Sequence, residues 1–185
     1  MLITEEQKKL LIGYRDKCYV MSILCSECSD FYNRISNFFK FPLIITNSIM
    51  VIFNSENFDN VRIANIILNV ATSLILSLVG NFKLNERVIN FTSKGVKFNK
   101  LCHKIEDLLY NCIDEITTEN IRAIIDDYDA INEQIEYPFV GYIKEKLMKK
   151  YGNNRVMPNA LNCVSDLVIN QVELKRTIKF LLSLL

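Results

Sequence analysis

Three groups of residues in this chain have types that could do chemistry. Cys25-x-x-Cys28 is half of a zinc ligand set, with Cys102 and His103 the nearest candidates for the other half. Asp126, Asp127, Asp129 and Glu133 form the kind of acidic cluster that holds a divalent cation or moves protons. Asn65, Asn69, Ser73, Ser77 and Asn81 place an amide or hydroxyl at every fourth position of an otherwise apolar run.

The first two groups weaken on inspection. Cys102 and His103 lie far along the chain from Cys28, and His103 is the only histidine. That leaves no His-based ligand set and no Ser–His–Asp arrangement. The acidic cluster lacks the glycine turn of a calcium loop, and Asp126, Asp129 and Glu133 share a face at helical spacing. A solvated or partner-docking face accounts for it. No glycine-rich loop is present to cradle a phosphate. The sequence therefore predicts no catalytic residues, no metal, no cofactor and no small-molecule substrate, and the chain reads as a non-enzyme. A net charge of +1 over 185 residues gives no general attraction to nucleic acid.

The elements that carry these groups are helices. Only three prolines and five glycines interrupt the chain, and no strand-like alternation stands out. The expected fold is all-α: a transmembrane helical hairpin flanked by long amphipathic helices and a small C-terminal helical region. Residues 1–40 read as an amphipathic helix opened by a Thr4–Gln7 capping box. Leu10, Leu11, Tyr14, Cys18, Met21, Cys25 and Cys28 follow three-four spacing along it, which gives one dry face and one wet face.

Residues 41–83 read as the hairpin. "FPLIITNSIMVIFNS", from Phe41 to Ser55, is free of charge, with Pro42 near the start of the span. Ile63 to Phe82 is a second uncharged run of about 20 residues, which matches a bilayer core of about 30 Å. Asp59 or Asn60 is the expected cap between them. Arg34 and Lys40 precede the first span, and Lys83 and Arg87 follow the second. Basic flanks on one side predict both termini on the cytoplasmic side of a membrane. The core of a soluble bundle is the competing reading. It is disfavoured because such cores rarely need two adjacent uncharged helices of this length.

Residues 84–155 read as a helical domain on the basic side, and residues 156–185 as a C-terminal amphipathic helix with Leu174, Ile178, Leu181 and Leu185 on one side. The second span is expected to run unbroken into the next helix. A helix capped by Thr117 or Thr118 should extend to about Gln134. The next should start with Pro138 at its first position and close at Gly152. Charge is segregated along this region: basic over residues 83–104, acidic over 105–136 and basic again over 137–155. Opposite blocks of this kind dock on each other or on neighbouring subunits. The six cysteines, without an apolar leader ahead of them, are expected to be free thiols.

The polar ladder decides between two roles for the second span. A step of four residues advances about 40° around a helix, so the row swings across the surface instead of lining one straight face. It follows the ridge along which membrane helices cross, and Ser73-x-x-x-Ser77 has the small-residue spacing of close packing. Thr46, Asn47 and Ser48 on the first span are candidate partners. Packing is favoured over the lining of a wet pore, which stays open as the alternative.

"DFYNRISNFFKFPLIITNSIM", followed by a short loop and a second span, resembles the SLATT-type two-transmembrane families. Phe31, Tyr32 and Arg34 sit where such proteins carry aromatic and basic residues, Phe38 stands where Trp is common, and Pro42 matches a recurrent proline. Tyr128, Asp129, Asn132, Glu133, Gln134, Pro138 and the lysine-rich helix to Lys150 are similar to a downstream "YD…E…P" element. The resemblance covers roughly residues 8–155. It implies an oligomeric membrane protein without an enzymatic domain. Bacterial members of the family act as pore-forming effectors. Stand-alone members of large double-stranded DNA viruses look closest, and imply a minor structural component of a virion linking internal membrane to capsid proteins.

Overall fold

A computed structural model describes residues 4–53, 59–110, 116–152 and 155–162. These are helical, with no strand among them. The elements are α1 (Glu5–Phe53), α2 (Asp59–Asn81), α3 (Leu84–Tyr110), α4 (Thr118–Glu133), α5 (Gly141–Tyr151) and the single turn α6 (Asn159–Asn162). They form two compact units, one from the described parts of Met1–Cys28 and Asn90–Leu185, the other from Ser29–Ile89. The expected C-terminal amphipathic helix, with Leu174, Ile178, Leu181 and Leu185, lies outside the described residues.

The first turn of α1 is closed as its sequence dictates. The Thr4 amide donates to Gln7 Oε1 at 3.0 Å, and the Gln7 amide donates to Thr4 Oγ1 at 3.2 Å. α1 then continues through Pro42 as one helix of 49 residues, so no break separates residues 1–40 from the hairpin. Pro42 stands inside the helix instead of at a new start.

In the first unit α1 is the central helix. Cys18, Met21, Cys25 and Cys28 of the expected dry face are fully buried, and Val20 and Leu24 beside them widen it, while Ser26 is exposed. The reason is the number of neighbours. Tyr14 meets Tyr128 of α4 edge-on at 5.5 Å, Tyr19 meets Tyr151 of α5 at 6.1 Å, and Gly95 of α3 lies against Cys25. Leu10, expected on the dry face, is instead exposed. Phe91, Phe98, Ile105, Ile124, Ile143 and Leu147 complete this core. Full burial of each such side chain contributes about 1.5–3 kcal/mol before the cost of ordering it.

α4 begins and ends where its sequence predicts. Thr117 Oγ1 accepts from the Asn120 amide at 3.2 Å, and Gln134 is the C-cap. α5 does not start at Pro138. Val140 is its N-cap and residues 135–140 are non-helical, which lets Phe139 reach Phe91 at 5.4 Å between ring centres. Gly152 closes α5 as expected, its amide donating to the Met148 carbonyl at 2.9 Å.

The second unit holds the end of α1, all of α2 and the first turns of α3. The uninterrupted run from the second span into the next helix is not found. Phe82 and Lys83 form a turn, and Lys83 takes a left-handed backbone with φ 48°. Its amide donates to the Gly80 carbonyl at 3.1 Å, and its own carbonyl accepts from the Arg87 amide at 3.0 Å. One residue thus ends α2 and starts α3. At the other end, α2 already includes Asp59 and Asn60, so its cap lies outside the described residues.

Candidate functional site

The side chains that set the hairpin apart are apolar and uncovered. On α1, Phe38, Phe41, Ile44, Ile45 and Ile49 are exposed; on α2, Ile63, Ile66, Ile67, Val70, Leu74 and Leu76 are exposed. From Ile63 onward lies the one stretch among the described residues that is long and apolar enough to cross a membrane, and none of it is buried. A core helix of a water-soluble protein would be mostly covered.

The covered side of α2 is a separate stripe. Ala64, Asn65, Leu68, Thr72, Ile75, Val79 and Phe82 are half-buried at three-four spacing. On α1 the matching covered positions are Tyr32, Ile35, Ser36, Phe39, Leu43 and Thr46. Both stripes belong to the second unit. Asn85, just past the Lys83 turn, fastens one end: its Oδ1 accepts from Ser36 Oγ at 3.1 Å and from Lys40 Nζ at 3.3 Å. Ser29 Oγ donates to the Val88 carbonyl at 3.4 Å. Arg87 donates to the Tyr32 hydroxyl at 3.2 Å and lies over its ring at 5.2 Å.

The ladder is divided by this arrangement. Asn65 sits at the edge of the covered stripe. Asn69, Ser73, Ser77 and Asn81 are exposed, on the side turned away from it. Asn47 and Ser48 are exposed as well, and Ser48 Oγ donates back to the Ile44 carbonyl at 2.9 Å. Thr46 alone of the three proposed partners is on the covered side. Of the basic residues flanking the spans, Arg34, Lys40 and Lys83 are exposed and Arg87 is half-buried; Lys83 pairs with Glu86 at 3.4 Å.

The clusters that first suggested chemistry lie in the other unit. Cys18, Cys25, Cys28 and Cys102 are free and buried. Burial raises the thiols of Cys18 and Cys28 to about 12 and that of Cys102 to about 11, and raises Cys25 further still. A thiol held protonated in this way is a poor nucleophile at neutral pH. Asp126, Asp127, Asp129 and Glu133 lie outside the core, and Asp127 pairs with Lys104 at 2.9 Å. His103 is exposed beside Glu106 at 3.2 Å. Among the described residues, Lys104 of the basic block meets Asp127 of the acidic one. Besides the Lys104 pair, Lys94 and Lys97 both donate to the neutral Gln134 Oε1 at 2.8 Å, and Lys146 reaches Glu27 at 2.7 Å.

The network around Asp16 could not be anticipated from spacing. This carboxylate is buried, 2.8 Å from Arg15 and 3.5 Å from Arg155. The Arg155 guanidinium also lies over the Tyr19 ring at 4.1 Å. Its role is to fasten the segment after α5 to α1. No protein-family model, no curated protein and no solved structure matches the chain.

Proposed function

We propose that this chain is a non-enzymatic integral membrane protein, with the α1–α2 hairpin in the bilayer and the remaining helices making protein contacts on one side of it. The observation that carries this reading is the uncovered apolar surface of α2, continued on α1 by Phe38, Phe41, Ile44, Ile45 and Ile49. Water would oppose that surface at about 25 cal/mol for each Å² exposed, whereas lipid tails accept it. Arg34, Lys40, Lys83 and Arg87 then mark the headgroup level, and their charge supports a reading with both termini on the cytoplasmic side. The likeness to stand-alone viral members of the SLATT-type families supports a virion setting, as a minor component joining internal membrane to capsid. Membrane fractionation tests the reading: the chain should stay in the pellet through an alkaline carbonate wash and copurify with particles. Recovery in the soluble fraction would overturn it.

A second reading is favoured by one specific observation. Asn69, Ser73, Ser77 and Asn81 are not used inside the hairpin, so several copies could turn them toward a shared wet path. Planar bilayer recordings test this. A conducting pore should give unitary currents that Asn69→Leu reduces, and protein-containing membranes without such currents would rule it out.

A further inference from the structure

The exposed polar row of α2 has no partner among the described residues of its own chain. Asn69, Ser73, Ser77 and Asn81 lie on the side of the helix opposite the covered stripe of Leu68, Ile75 and Val79. None of the four makes a side-chain hydrogen bond to any described residue. Ser48, by contrast, is satisfied by the Ile44 carbonyl. Gly80 lies on the same face beside this row, and a Cβ built there meets nothing within 4 Å, so no described neighbour requires a glycine.

Lipid tails offer neither donors nor acceptors, so an asparagine amide turned toward them is left unsatisfied. An asparagine carries both a donor and an acceptor, which makes a row of them complementary to an identical row. Ser73, Ser77 and Gly80 are small enough for two backbones to approach closely between the amides. Spacing by four is the ridge along which two such helices cross.

We propose that α2 is the contact between two copies of this chain, packed row against row about a two-fold axis. Asn69, Ser73 and Ser77 lie at its centre, and the occupant of the exposed face is α2 of the second copy. The inference rests on the membrane reading. It assigns the row to a dry helix–helix contact and not to a wet path.

Crosslinking through an introduced cysteine in phosphatidylcholine vesicles holding the purified full chain tests it, with the wild-type chain and its six native cysteines alongside as background. Ser73→Cys and Ser77→Cys should give a disulfide-linked dimer on mild oxidation, at about five-fold the yield of Ile67→Cys on the flank of the same helix, as expected when only one face packs closely. Asn69→Leu added to Ser73→Cys should lower that yield. Equal yields at all three positions, or no dimer at any, would overturn the proposal. The same vesicles are washed with alkaline carbonate. A chain that stays without crosslinking refutes the dimer contact alone, and a chain that washes off refutes the membrane reading and the contact with it.

Discussion

Gly95 and Cys25 hold α3 and α1 in close approach within the first unit. A Cβ at Gly95 would sit 3.3 Å from Cys25 Cβ and 3.4 Å from the Ser22 carbonyl oxygen, and Cys25 is fully buried. Neither neighbour is the free end of a flexible side chain. Gly95→Val should therefore destabilise the fold by about 1–3 kcal/mol, despite the gain from losing a helical glycine. Gly80→Ala should leave the fold of a single chain as stable or more so, because its surroundings are open. Thermal unfolding of both variants in detergent checks the contrast.

The buried thiols predict how stability changes with pH. Above the ordinary thiol value of 9.0 the unfolded chain loses thiol protons, while the folded chain keeps those of Cys18, Cys28 and Cys102 until about pH 11–12. Their contribution is complete below pH 9 and declines above it, by up to about 1.4 kcal/mol per pH unit for each thiol. Denaturant titrations from pH 8 to 11 should show a falling midpoint. Alkylation of the folded chain at about pH 8 should spare these thiols and reach them once it unfolds.

Arg155 supports a local prediction. Its guanidinium serves Asp16 at 3.5 Å and the Tyr19 ring at 4.1 Å together, and a lysine cannot do both in that geometry. Arg155→Ala should cost about 1–3 kcal/mol and Arg155→Lys nearly as much. Hydrogen exchange should accelerate first at Leu161, which is buried in the turn that follows Arg155.

Lys83 occupies a left-handed backbone that suits glycine better. Its exposed pair with Glu86 adds little. Lys83→Gly should be neutral or stabilise by up to about 1 kcal/mol, whereas Lys83→Val should lose about 1–2 kcal/mol through β-branched strain. Unfolding in detergent distinguishes these signs.

Helix identity and several ends were legible in the sequence because they depend on neighbours within a turn. The Thr4–Gln7 box, the Thr117 cap and the Gly152 stop are of this kind. The face of α1 through Leu11, Cys18, Met21, Cys25 and Cys28 was legible in its three-four spacing, but its extension to Val20 and Leu24 was not, because elements distant in sequence cover it, and neither was the burial of the Asp16 carboxylate. The break at Lys83 carries no glycine or proline signal, since a lysine there bears the conformation at some cost. The ladder was visible as a pattern, but its direction was not: spacing cannot say which side of α2 its own hairpin covers, and that decides who its partner is.

The order of residues along α1 has a consequence for synthesis. Tyr14, Tyr19 and Glu27 find their partners at Tyr128, Tyr151 and Lys146, so the first unit is discontinuous, with the apolar hairpin inserted between its halves. A ribosome delivers the hairpin in full before α4 and α5 exist. The hairpin is therefore complete while the buried arc from Cys18 to Cys28 still waits for its cover, and on the proposed membrane reading it integrates before the first unit closes. The first unit closes last, and a chain truncated before α5 would leave that arc open to chaperones and proteases.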